Sequence, residues 1–132
     1  MQERQISRTG ELAKQCVEDS ERWFGDMGMH HDIAHHALAL AGEVGEFCNI
    51  VKKINRGSLH FEEAQVRYNL AMELTDVYTY LLNLAGMLDI DLEESYKIVR
   101  AKNQTRFSLE RQRRDAIRLS NGGRKIKDNP QA

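Results

Sequence analysis

Leu40-Ala41-Gly42-Glu43-Val44-Gly45-Glu46-Phe47 and, thirty residues on, Leu70-Ala71-Met72-Glu73-Leu74-Thr75-Asp76-Val77 are two versions of one phrase. Each sets two carboxylates three residues apart inside an apolar frame, where a helix ordinarily keeps charge out. The flanking spacing is helical in both cases. His36, Leu40, Glu43, Phe47, Ile50 and Ile54 form one stripe, and Val66, Leu70, Glu73, Val77, Tyr80 and Leu84 form a second with the same spacing. The repeat is therefore one of whole helices, and it decides the fold.

The first stripe belongs to a helix expected from about Asp32 to Asn55, closed by Gly57 in a C-terminal cap. The second belongs to a helix from about Phe61 to Leu88, with Glu62 and Glu63 at its start, where the helix dipole favours acids. Upstream, Ser7 to Phe24 reads as a helix with Ala13, Cys16, Val17, Ser20, Trp23 and Phe24 on one face. Downstream, Asp91 and Glu94 form a capping-box signature for a fourth helix to about Phe107, and Leu109 to Leu119 allows a short fifth. The one proline, Pro130, lies near the end of the sequence, and β-branched alternation is scarce. The expected fold is all-α, a four-to-five-helix bundle around a central antiparallel hairpin, with one domain over 1–119 and a basic tail over 120–132.

In such a hairpin, residues equidistant from the turn lie at one level. A turn centred between Leu59 and His60, where Gly57-Ser58 already signals one, sets Glu43 opposite Asp76 and Glu46 opposite Glu73. Neighbours three apart on a helix are separated by only about 4.5 Å along the axis. Four carboxylates then converge between two helices, and two unit charges about 4 Å apart repel by roughly 4 kcal/mol at an effective dielectric near 20. A divalent cation reverses that sign. With oxygen donors alone and no thiolate in the cluster, the set suits Mg²⁺, with Mn²⁺ possible, and such cradles usually serve phosphorylated substrates. Gly42 and Gly45 each cost about 1 kcal/mol relative to alanine inside a helix, which suggests a close approach there.

At these residues the chain resembles the MazG-like all-α nucleoside triphosphate pyrophosphohydrolases, whose hallmark is an E-E-x-x-E run followed by E-x-x-D on the next helix. Glu43, Glu46, Glu73 and Asp76 match, whereas Gly42 stands where many members carry the first glutamate. The string Gly42-Glu43-Val44-Gly45-Glu46 is similar to the form in the dCTP pyrophosphatase branch. The resemblance runs from about Trp23 to Phe107 and implies conversion of an NTP or dNTP to the monophosphate and pyrophosphate. It implies Glu43, Glu46, Glu73 and Asp76 as metal ligands and catalytic groups; Glu46, expected to be the least buried of them, is the one expected to accept the proton of the attacking water. It further implies Lys53, Arg56, Lys102 and Arg106 on the phosphates, Asn103 on sugar or phosphate, and Trp23 and Tyr80 beside the base. A homodimer or homotetramer is implied as well, with Leu109, Ala116, Ile117 and Leu119 as interface candidates.

The net charge of −1 conceals a division: residues 1–96 hold 8 Lys and Arg against 17 Asp and Glu, while residues 97–132 hold 11 against 3. That suits a cation-plus-polyanion ligand. It also permits a rival reading, a nucleic-acid-binding or assembly module using Arg111, Arg113, Arg114, Arg118, Arg124, Lys125 and Lys127. The rival leaves the inward carboxylates unexplained, so nucleic acid is the weaker expectation. The histidines His30, His31, His35 and His36 begin the second helix and are expected near the substrate mouth or on the surface rather than as ligands. Two cysteines, Cys16 and Cys48, are too few for a disulfide framework and read as small core residues. With no signal-like segment and no long apolar run, the expected setting is the cytoplasm, away from membranes.

Overall fold

The computed structural model describes residues 7–25 and 31–123. Four helices follow in order: α1 (Arg8–Phe24), α2 (Ile33–Asn55), α3 (Ala64–Met87) and α4 (Leu92–Ser120). The all-α expectation holds, and no strand occurs among the described residues.

Each boundary has a local cause. Ser7 caps α1 by accepting from the Gly10 backbone N–H at 3.1 Å, and Asp32 caps α2 by accepting from His35 N–H at 3.1 Å. Helix α2 ends in a Schellman motif: Gly57 takes φ +79°, its N–H donates to Ile54, and Ser58 N–H donates to Lys53, both at 2.9 Å. The midpoint between the end of α2 and the start of α3 falls between Leu59 and His60, where the sequence set the turn. Helix α3 starts three residues later than expected. The Glu63 carboxylate accepts from His60 N–H at 3.1 Å instead of capping the helix, and Glu63 N–H donates back to the His60 carbonyl, which spends 61–62 on a turn.

A second Schellman motif ends α3 with an unusual residue in the left-handed position, Asp89 at φ +52°; Ile90 N–H donates to the Ala85 carbonyl at 2.9 Å. Asp91 then caps α4 by accepting from Glu93 N–H at 3.0 Å. The expected fourth and fifth helices are one continuous helix. Between Phe107 and Leu109 stands only Ser108, which has neither the missing N–H of proline nor the backbone freedom of glycine needed to stop it. It closes at Gly122, φ +78°, with Gly123 N–H donating to the Arg118 carbonyl at 2.8 Å. Arg124, Lys125 and Lys127 lie outside the described residues.

The chain divides into two compact units, Met1–Glu93 and Glu94–Ala132. In the first, α3 packs against α2 on one side and α1 on the other. Every member of the two expected stripes is buried or half-buried, with His36, Val66 and Leu70 the most enclosed. The α1 side adds a face that the stripes did not contain: Leu82, Asn83 and Ala85 are buried, and Leu82 and Ala85 cluster with Ala13, flanked by Cys16 and Leu92. Cys48 is exposed, so only Cys16 is partly in the core, and both thiols are free.

Close approach occurs at Gly86 rather than at the glycines the motif highlighted. A Cβ at Gly86 would lie 2.7 Å from Val17 Cγ2 and 2.9 Å from the Ala13 carbonyl oxygen, whereas at Gly42 and Gly45 it would meet nothing within 4 Å. At the far end of the unit, Glu93 Oε1 accepts from both Thr9 N–H (3.0 Å) and Thr9 Oγ1 (2.7 Å), fixing the first turn of α1.

In the second unit α4 has no buried residue, while Tyr96, Ile98, Val99, Phe107, Leu109, Ile117 and Leu119 are all exposed. Its local order comes from pairs one turn apart, such as Lys97 with Glu94 at 2.6 Å. No helix among the described residues is long and apolar enough to cross a membrane.

Candidate active site

The hairpin delivers its carboxylates to one place. Glu43 from α2 and Glu73 and Asp76 from α3 each offer an oxygen, all within 4.8 Å of one another; Glu43 and Glu73 are half-buried and Asp76 is exposed. This follows from the stripes: Glu43 stands between Leu40 and Phe47, and Glu73 between Leu70 and Val77, so apolar packing on either side turns both acids toward the facing helix. Glu46, one turn along α2, is exposed and lies outside this triad.

The electrostatics register the crowding. Desolvation, then the charges of Asp76, Glu73 and Glu46, push the Glu43 carboxyl above its ordinary value. No basic side chain forms an ion pair with these acids among the described residues. Three hard oxygen donors on two rigid helices, repelling one another, form a donor set that a divalent cation fits.

Beside the triad opens a cleft of about 630 Å³, lined by residues from α1, α2 and α3. Glu43 and Asp76 form one end. Tyr80 and His36 form an aromatic wall, their rings edge to face with centroids 6.0 Å apart. Trp23, 66% exposed, stands at the rim with its ring edge-on to Phe24 at 6.4 Å. Both aromatics expected beside a base thus line the same cleft as two acids of the triad, Glu43 and Asp76.

Of the histidines, His35 lines the cleft and His36 is buried within it, His31 is exposed, and His30 lies outside the described residues. Sequence reasoning missed six further lining residues: Cys16, Asp19, Ser20, Phe24, Thr79 and Asn83. A signal existed for Asn83, since it lies seven residues past Asp76 and three past Tyr80 on α3, which is helical spacing. Burial and the Asp19 charge push the Cys16 thiol up, keeping it protonated.

The expected phosphate ligands fall in both units. Lys53 is half-buried near the end of α2, about 15 Å along the axis from Glu43. Arg56, at the C-terminal cap, donates through Nε to Ser58 Oγ at 3.1 Å. Lys102, Asn103 and Arg106 lie on α4, in the second unit, where Arg106 stacks over the Phe107 ring at 4.5 Å and pairs with Glu110 at 3.9 Å. Asn103 is half-buried there in a shallow groove with Tyr96, Val99 and Phe107.

Comparison with known proteins agrees with this geometry. The Gene 37 protein of Mycobacterium phage L5 is 36% identical over 66 residues, a stretch amounting to 50% of this chain and 58% of the phage protein. The chain therefore spans little more than half the length of that curated relative. Residues 33–108 match the MazG nucleotide pyrophosphohydrolase domain, a range that begins with α2, contains the whole carboxylate hairpin and runs into α4. With the acidic triad at its centre and more than half of the sequence matched, the chain belongs to the MazG nucleotide pyrophosphohydrolase family.

Proposed function

We propose that this chain hydrolyses nucleoside triphosphates between the α and β phosphates, releasing a nucleoside monophosphate and pyrophosphate, with Mg²⁺ (or Mn²⁺) held by Glu43, Glu73, Asp76 and Glu46. The observation that carries this reading is the carboxylate triad, within 4.8 Å, opening on a cleft with an aromatic wall. When bound, the metal supplies Lewis-acid polarisation of the phosphate and a more acidic water.

The side chains do the rest. Glu43, Glu73 and Asp76 fix the position of the α-phosphate by holding its counter-charge on two helices rather than on loops. Of these four carboxylates, Glu46, exposed and one turn from Glu43, is the one assigned the proton of the attacking water. Oxygen from that water bonds to the α-phosphorus, the bond to the bridging oxygen breaks, and pyrophosphate departs with the electron pair. Lys53 and Arg56 on α2, and Lys102 and Arg106 on α4, are the cations assigned to the departing phosphates, and Asn103 to the sugar. Trp23 and Tyr80 take the two sides of the base.

The direct test is a panel of all NTPs and dNTPs with Mg²⁺, scoring pyrophosphate against orthophosphate. At least one substrate is expected to yield pyrophosphate and monophosphate in equal amounts. Orthophosphate as the product, or no hydrolysis anywhere in the panel, would contradict the proposal. This chemistry belongs to the cytoplasm, where nucleotide pools lie.

The same reading includes assembly as a homodimer or homotetramer. A helix of 29 residues with no buried side chain lacks the packing of an apolar face that supplies most helical stability in proteins. Tyr96, Val99, Phe107 and Ile117, at helical spacing and all exposed, supply that face, and a second copy of the chain is the partner proposed for it. Light scattering coupled to size exclusion is expected to give twice or four times the monomer mass of 15.2 kDa. A monomer that still hydrolyses its substrate would refute the assembly.

A further inference from the structure

Within the cleft, the Asn83 side chain leaves a polar atom unanswered. Asn83 is 6% exposed, and its Nδ2 donates to the Thr79 carbonyl at 3.2 Å. Its Oδ1 is buried and has no hydrogen-bond partner among the described residues. An orphaned buried acceptor is costly and uncommon, so its persistence calls for a ligand or a function. Rotation of the amide cannot relieve it, because exchanging the two ends would set oxygen against the Thr79 carbonyl. The helix backbone thus fixes which end of the amide serves as acceptor.

Position gives that acceptor a meaning. Asn83 lies two turns beyond Asp76 on α3, about 10 Å along the axis, a span comparable with a sugar and a base ring. Tyr80 stands between them, and Asp76, Tyr80 and Asn83 line one cleft. A nucleotide whose α-phosphate sits at the carboxylates therefore carries its base edge toward Asn83.

We infer that Asn83 is a specificity-determining residue whose Oδ1 accepts a hydrogen bond from an exocyclic amine on the nucleobase. The cleft then selects cytosine- or adenine-type bases over partners that present a carbonyl at the same ring position. A carbonyl there meets the Asn83 oxygen with a second acceptor and leaves both unpaired in a desolvated place. Selection of this type is steep because it rests on an unmet buried polar group rather than on shape.

This inference rests on the pyrophosphohydrolase reading, and its test separates the two. The full chain is assayed with Mg²⁺ on matched pairs that differ by amine against carbonyl: CTP with UTP, ATP with ITP, and the deoxy counterparts. The wild-type kcat/KM is expected to favour the amino member by roughly 10- to 100-fold, the range for one buried acceptor deprived of its donor. Asn83→Ala, a good helix former, is expected to bring the pair to near parity by lowering the amino member alone. Asn83→Leu, close to asparagine in shape but without the acceptor, is expected to give the same near parity, and it serves as a second variant should the first not fold. No turnover of any triphosphate is a failure of the pyrophosphohydrolase reading. Turnover with wild-type parity, an equal loss for both members in Asn83→Ala, or an amino preference retained in Asn83→Leu overturns the role of Asn83 alone.

Discussion

Glu73→Gln is expected to lower pyrophosphate release by about three orders of magnitude, equivalent to roughly 4 kcal/mol of lost transition-state stabilisation. The substitution is nearly isosteric, and Glu73 is only half-buried on the α3 stripe, so the packing of Leu70 and Val77 on either side is retained. What changes is the donor set. One of the three oxygens lying within 4.8 Å becomes a neutral amide, and one unit of negative charge leaves the proposed cation site. The loss should fall mainly on kcat, because the cleft walls of Tyr80, His36 and Trp23, proposed to receive the rest of the nucleotide, are untouched. Far-UV circular dichroism and a melting curve alongside the kinetics separate this from unfolding. Turnover within a few-fold of wild type, in a folded variant, would show that the hairpin acids are not the catalytic centre.

Why the hairpin was readable, and other parts were not, comes down to what a single helix can encode. The stripes containing Glu43 and Glu73 carry their own periodicity, and the Gly57-Ser58 turn sets their register, so the level at which Glu43, Glu73 and Asp76 meet was calculable from position alone. Glu46 shares the spacing but not the convergence. It lies at the edge of the α2 stripe, and a rotation around the helix that is small in sequence terms leaves its side chain in solvent.

The second face of α3 was less legible, because the apolar run Tyr80-Leu81-Leu82 followed by Leu84-Ala85 satisfies several helical phases at once. Only the arrival of α1 against Gly86 selects Leu82, Asn83 and Ala85 for burial. Asn83 illustrates the limit of pattern reading. Its type and spacing are in the sequence, but the lack of a partner for its Oδ1 is a property of the packed structure. The split of α4 into two helices failed for a different reason: a serine between two apolar stretches looks like punctuation, yet without glycine or proline the hydrogen-bond ladder continues through it.

The metal-free protein should be under a strain that acid or Mg²⁺ relieves, and both responses can be read from its melting midpoint. Folding brings Glu43 beside Asp76, Glu73 and Glu46 and partly desolvates it, so its carboxyl holds a proton more tightly folded than unfolded. A group with a raised folded value favours the folded state once the pH falls below it, and that contribution is lost as the pH rises from the ordinary carboxylate value through the raised one. The metal-free midpoint is therefore expected to climb as the pH is lowered from neutral into that window, before general acid unfolding sets in. Glu43→Gln, which cannot ionise, should lose this Glu43-dependent slope and melt higher than wild type at neutral pH without metal. Adding Mg²⁺ at about a hundred times its dissociation constant should stabilise the wild type by roughly 2.7 kcal/mol, a rise on the order of 10 °C for a domain of this size, reversed by chelator. The same addition should do far less for Glu43→Gln, since the cation gains one ligand fewer and relieves a repulsion already removed. The two substitutions thus pull stability and catalysis apart: neutralising an acid in the hairpin makes the empty protein firmer and the enzyme poorer, as expected where like charges are kept together for a ligand rather than for the fold. An unchanged midpoint with Mg²⁺, or a Glu43→Gln variant less stable than wild type in its absence, would mean that the triad contributes to folding instead of waiting for a cation.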